Sequence, residues 1–127
     1  MITEARIEGD TLFLKWTGEL TPTEVQEYLD VLEGMLADHP WVFMVVDTRN
    51  ATAWGREARK VAIDWPLQGR LASVVQIAPS ATVRALSRIV ASALKLIGRS
   101  WPAKLLVVEN EEQARACVAK RRQELLA

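Results

Sequence analysis

The spacing of apolar residues along the chain changes period several times, and each change marks an element. The stretch Ala5-Arg6-Ile7-Glu8 alternates, meets the turn pair Gly9-Asp10, and is followed by Thr11-Leu12-Phe13-Leu14-Lys15-Trp16. Alternation on both sides of a Gly-Asp turn reads as a β-hairpin. Val25, Tyr28, Leu29, Leu32 and Leu36 then recur at helical spacing, which predicts a helix as far as about Asp38. Its start is marked by Thr21 as N-cap, Pro22 at the first helical position and Glu24 to complete a capping box. Glu24, Glu27, Asp30 and Glu33 make its outer face acidic.

Pro40 punctuates, and the apolar run Trp41-Val42-Phe43-Met44-Val45-Val46 ends at Asp47. A short run with no polar face suits an interior parallel strand. Thr48-Arg49-Asn50-Ala51-Thr52 reads as a polar loop, with Thr52 capping a second helix that aligns Trp54, Ala58, Val61 and Trp65 and closes at Pro66 and Gly69. A strand from Leu71 to Ala78 follows. Ser80 caps a third helix with Val83, Leu86, Val90, Leu94 and Ile97 inside, stopped by Gly98 and Pro102. The last strand is Lys104 to Val108. Asn110 caps a final helix whose first turn carries Glu111 and Glu112, favoured at the positive end of the dipole.

The order β-β-α-β-α-β-α-β-α predicts an α/β domain: a mixed, mostly parallel sheet of about five strands with an opening antiparallel hairpin. The length of 127 residues suits a single domain spanning 1–127. Half the residues are hydrophobic, which excludes wholesale disorder, and no run of 18 apolar residues predicts a membrane-spanning helix. The start Met1-Ile2-Thr3-Glu4-Ala5-Arg6 lacks the pattern of a secretory signal, so a cytoplasmic setting is expected.

Charge changes the picture more than composition does. The 16 basic and 16 acidic residues cancel, but residues 1–50 carry 3 basic and 10 acidic groups and residues 51–105 carry 9 and 2. The excess of basic groups sits mainly on two helices. Arg56, Arg59 and Lys60 lie opposite the apolar face of the second, and Arg84, Arg88, Lys95 and Arg99 form a stripe on the third. Such a surface fits an acidic protein partner, a phosphate or an anionic membrane surface. Nucleic acid is not expected, because the pI is near 6.6 and no aromatic-and-basic recognition strand is present.

Chemistry is scarce. Cys117, the only cysteine, reads as a buried thiol on the last helix and excludes an internal disulfide. His39, the only histidine, stands at the end of the first helix, where a cation is favoured, and rules out a multi-histidine zinc site. The glycines are isolated, so neither a dinucleotide fingerprint nor a P-loop is present. No enzyme, metal or cofactor is therefore expected. In open α/β sheets ligands bind beyond the carboxyl ends of the strands. Here those ends bring forward Asp47, Thr48, Thr52, Trp54 and Ser80, with Arg56, Arg59 and Lys60 beside them as partner- or ligand-binding candidates.

The layout resembles a STAS domain, the fold of bacterial anti-sigma factor antagonists. It is similar in particular to the SpoIIAA-like branch, which is related to lipid-exchange CRAL-TRIO domains. The resemblance rests on the Thr11–Trp16 strand, Gly18, Leu20-Thr21-Pro22-Thr23-Glu24, the strand Val42–Asp47 and the Glu111-Glu112-Gln113-Ala114 helix start. It implies a non-catalytic regulatory module whose partner is a protein, such as a regulatory kinase or anti-sigma-like factor, or the chain itself. Regulated antagonists carry Asp-Ser-Ser-Gly at the second helix, where this chain has Ala53-Trp54-Gly55-Arg56-Glu57. The phosphoserine switch is thus not expected, and Thr48 and Thr52 are the nearest hydroxyls for phosphorylation. The alternative is a carrier of a small apolar or lipid-like ligand held against the Trp54/Trp65 helix.

Overall fold

The computed structural model describes residues 1–96 and 104–126. The strands are β1 (Ile2–Glu8), β2 (Thr11–Leu20), β3 (Val42–Trp54), β4 (Leu71–Ile77) and β5 (Lys104–Val108). The helices are α1 (Pro22–Leu36), α2 (Arg56–Asp64), α3 (Ala81–Leu96) and α4 (Glu111–Leu126), with a short 3-10 turn over Gln68–Arg70. The sheet order is β1-β2-β3-β4-β5, with β1 antiparallel to β2 and the other pairs parallel. Each crossover adds its strand on the same side of the previous one. Right-handed crossovers in such a series place their helices on one face of the sheet. Leu12, Leu14, Met44 and Val46 accordingly pack with buried residues of α1, α2 and α3. Phe13, Phe43, Val45, Val75 and Ile77 point the other way and pack with Ala114 and Val118 of α4.

The capping signals act as expected. The Glu24 N–H donates to Thr21 Oγ1 at 3.3 Å, and the Thr21 N–H donates to Glu24 Oε1 at 3.2 Å. Ser80 Oγ accepts from the Val83 N–H at 3.2 Å, and Asn110 Oδ1 accepts from the Gln113 N–H at 2.9 Å. Helix α1 stops at Leu36 and tapers through a turn in which the Ala37 and Asp38 N–H groups donate to the Gly34 and Met35 carbonyls, and Arg70 meets this end. Its guanidinium donates to the carbonyls of Leu36, His39 and Pro40, so it meets the negative end of the helix.

The polar stretch after Asp47 departs from expectation. Residues 48–54 are not a loop but continue β3, paired to an extension of β2 in which Thr17 faces Asn50 and Leu20 faces Trp54. A neighbouring strand with free backbone groups satisfies these residues' own N–H and C=O groups, which overrides their polar side chains. Register shifts at Lys15/Thr17 and Gly18/Glu19 bend the ribbon, and Gly18 takes φ +68, open to glycine without strain. Two assignments change with it. Gly55, not Thr52, is the N-cap of α2 and offers no side-chain bond, and Trp54 ends a strand instead of starting a helix. Strand β4 ends one residue before Ala78, which adopts φ +50. The expected positions of Ile97, Gly98, Arg99 and Pro102 lie outside the described residues.

Three arginines on the α4 side, Arg6, Arg115 and Arg122, are matched within the domain. Arg122 donates to both carboxylate oxygens of Asp10 at 2.7 and 2.9 Å and lies over the Phe43 ring. Arg6 and Arg115 both lie over Phe13, while Arg115 pairs with Glu8 at 2.8 Å and Arg6 with Glu111. Partial burial opposes ionisation of Asp10, but the bonds from Arg122 and Thr11 outweigh it and hold the carboxyl below its ordinary value. The folded pKa lies below the unfolded one. The stabilisation is therefore present above the ordinary carboxylate range and is lost as pH falls through the folded value. The urea midpoint is expected to fall on acidification below about pH 4, and D10N should show a shallower fall. An unchanged slope in D10N would assign the acid sensitivity elsewhere.

Candidate functional site

On the three-helix side the core leaves a partly open cavity of about 80 Å³. Its floor includes Leu14, Met44, Val46 and Val74, and its roof includes Leu32 of α1, Ala62 of α2 and Leu94 of α3. The lining includes residues of every strand, from Ile2 to Leu105. No residue of the lining is charged.

Polar groups interrupt this apolar wall at a few points. Thr48 is fully buried, and its hydroxyl donates to the Ile77 carbonyl at 3.1 Å. The Gln76 amide donates to Ser87 Oγ at 2.7 Å, joining β4 to α3. Gln68, 5% exposed, donates its amide N–H to the Ala62 carbonyl. These bonds leave Gln76 Oε1 and Gln68 Oε1 buried and without a partner, and Trp54 Nε1 shares that state. All three residues line the cavity. Nearby indoles show the contrast: Trp16 Nε1 donates to the Gly18 carbonyl and Trp65 Nε1 to Glu33 Oε1, both at 2.8 Å. The Trp54 ring stands edge-on to Trp16, 6.1 Å between centroids, which holds it in place. A buried polar atom without a partner costs about 1–3 kcal/mol, so three at one cavity favour an occupant that meets them.

The residues brought forward by the sequence do not converge here. Asp47 and Thr48 are adjacent on a strand and therefore face opposite sides of the sheet. Asp47 accepts from the Arg49 N–H at 3.1 Å and borders a separate polar depression on the α4 side, shared with Arg6, Lys15 and Glu111. Thr48 lines the cavity, and its buried hydroxyl is closed to a modifying enzyme. Thr52 is exposed, so among the two hydroxyls only it stays accessible. Thr48 passes from the expected loop, and Trp54 from the expected second helix, into the cavity wall. Ser80 serves as the α3 cap. Cys117 is half-buried against the α4-side core, more open than expected.

Gln68, Gln76 and Ser87 went unnoticed in the sequence. Their signal was present: Gln76 interrupts the apolar run Leu71–Ile77, and Ser87 lies on the inner stripe between Val83 and Val90. On the outside, Arg56 and Lys60 of α2 and Arg84, Arg88 and Lys95 of α3 are exposed, with Arg59 half-exposed. None of these pairs with an acidic residue among the described residues, unlike Arg6, Arg49, Arg115 and Arg122. Arg99 of the expected stripe lies outside the described residues. No group of three or more metal-ligating side chains occurs among the described residues, and none of their helices is long and apolar enough to cross a membrane.

No family model matches this chain. No curated protein matches it. Solved structures do match. One is an uncharacterized protein of the DUF3478 family with a SpoIIAA-like fold from Shewanella loihica PV-4: TM-score 0.61, 17% identity, covering 91% of this chain and 90% of that one. Another is the anti-sigma factor antagonist SpoIIAA in its unphosphorylated form: TM-score 0.58, 10% identity, covering 94% of this chain and 98% of that one. At these identities the likeness is one of fold.

Proposed function

We propose that this domain of SpoIIAA-like fold is a non-catalytic binding domain that holds a small, mostly apolar molecule between its sheet and helices α1–α3. The observation that carries this reading is the cavity, three of whose lining residues each hold a buried polar atom without a partner. An apolar wall supplies affinity by burial, and a few polar groups set orientation, the usual division of labour in small-molecule sites. The test is a methyl NMR titration of the protein with toluene, 1-chlorohexane and 1-hexanol. Resonances of Leu32, Val74 and Leu94 are expected to shift together and saturate. No saturable shift with any of the three would end this reading.

A second reading is favoured by the basic surface. Arg56, Lys60, Arg84, Arg88 and Lys95 are exposed without acidic partners among the described residues, whereas Arg6, Arg115 and Arg122 on the α4 side pair with acidic residues. That asymmetry suits docking of an acidic protein partner, whether a regulatory kinase, an anti-sigma-like factor or the acidic face of α1 on a second copy. Phosphorylation, if this module is regulated so, falls to the exposed Thr52, and the setting is cytoplasmic. For the self-association case, sedimentation at low salt is expected to show concentration-dependent growth that high salt abolishes. The charge reversal R84E/R88E should abolish it as well. Sedimentation that ignores both salt and R84E/R88E removes self-association from this reading.

A further inference from the structure

We infer that the cavity ligand is uncharged and carries both a hydrogen-bond donor and an acceptor, as an alcohol or a primary amide does. This inference rests on the cavity being a binding site and adds the chemical class of its occupant. The lining holds no Lys, Arg, His, Asp or Glu. A carboxylate, phosphate or ammonium group placed there would lose its water and meet no opposite charge, and an isolated charge in an apolar interior is strongly disfavoured.

The orphaned atoms define the rest of the requirement. Gln68 has its orientation set by its neighbour: the Ala62 carbonyl can only accept, so the Gln68 amide nitrogen faces it and Oε1 is left as an acceptor. That oxygen calls for a donor from the occupant. Trp54 Nε1 can only donate, so it calls for an acceptor. Gln76 is different, because its partner Ser87 can donate or accept. Turning the Gln76 amide over keeps the Ser87 bond and exchanges the unpaired oxygen for an unpaired NH2. The site therefore has one group locked as acceptor, one locked as donor and one that adapts. Gln68 and Gln76 are each more than nine-tenths buried, at 5% and 6% exposure. A pure hydrocarbon leaves all three unmet. A hydroxyl or a carboxamide donates and accepts through one small group.

The test uses size-matched six-carbon probes: 1-hexanol, hexanamide, 1-chlorohexane and hexanoate at neutral pH. Binding is read from the indole N–H resonance of Trp54, assigned by its loss in W54F, and from the methyl shifts of Leu32 and Val74. Hexanol and hexanamide are expected to bind at least about tenfold more tightly than both chlorohexane and hexanoate. They should also shift the Trp54 N–H resonance, which chlorohexane leaves in place. W54F and Q68M should each cost hexanol more affinity than they cost chlorohexane, so that the preference between the two narrows. Hexanoate binding as well as hexanol, or chlorohexane binding as well as hexanol, overturns the inference and leaves the binding site standing. Failure of all four probes to bind removes the site itself.

Discussion

L32A is expected to lower the stability of the domain by about 3 kcal/mol, and F43A by about 3–5 kcal/mol. Both side chains are almost completely buried, Leu32 at 0% and Phe43 at 1% exposure. Both losses combine a transfer term with the cost of the hole left behind. The two holes lie on opposite faces of the sheet. Leu32 belongs to the α1–α3 side and lines the cavity, whereas Phe43 packs toward α4 beneath Arg122. L32A therefore enlarges the cavity and F43A does not. Urea denaturation with and without 1-hexanol separates them. Hexanol should restore more stability to L32A than to the parent protein, approaching about 2.7 kcal/mol at a hundredfold excess over Kd. F43A should gain no more than the parent. Equal recovery of both variants would place the bound molecule somewhere other than this cavity.

A62L is expected to abolish probe binding, weakening it about 100-fold, with little change in stability. Ala62 lies on the buried side of α2, 6% exposed, and forms part of the cavity roof. Leucine at this position adds three carbons directed into the space, and the occupant cannot share it. The added burial, worth about 0.8 kcal/mol per methylene, offsets the strain of a tighter fit of about 1–3 kcal/mol. Net stability should thus stay within about 1 kcal/mol of the parent, and leucine suits a helix nearly as well as alanine. Isothermal titration with 1-hexanol checks the first claim and urea denaturation the second. Undiminished binding in A62L would show that the probe occupies another surface.

These two predictions depend on a feature that the linear pattern could not display. Helical stripes such as Val25-Tyr28-Leu29-Leu32 say which face of α1 is buried, because spacing alone fixes the angle around a helix. They do not say how well that face meets the side chains across from it. Whether Leu32, Ala62 and Val74 close against one another or leave a gap depends on interhelical distances, and those arise from the whole sheet and its crossovers. The orphaned atoms are of the same kind. Gln76 is legible as a polar residue in an apolar strand, although it went unnoticed there, and its partner Ser87 and its unmet oxygen exist only once α3 lies over β4.

The extension of β3 gives a second instance. Thr48-Arg49-Asn50-Ala51-Thr52 has the composition of a loop, and local propensity points that way. It becomes strand because β2 runs on to Leu20 and offers a ladder beside it. A partner distant in sequence supplied the decisive hydrogen bonds, and no local window contains them. The change moved Trp54 from a helix face to a cavity wall and turned Asp47 and Thr48 to opposite sides of the sheet.

The sequence by itself determined the element order, the helix starts at Thr21, Ser80 and Asn110, the strand Lys104–Val108 and the α/β class. Each of these is written in spacing or capping over a few neighbouring residues, and the caps were found bonded as expected. It also showed that acidic and basic groups are segregated along the chain. Tertiary structure alone decided which charges are matched, since Arg122 meets Asp10 and Arg115 meets Glu8 across 112 and 107 positions of chain. It alone decided where the core leaves a space and which polar atoms of the residues around it stay unpaired. Those outcomes depend on contacts between elements far apart in sequence, and such contacts exist only when the sheet has assembled.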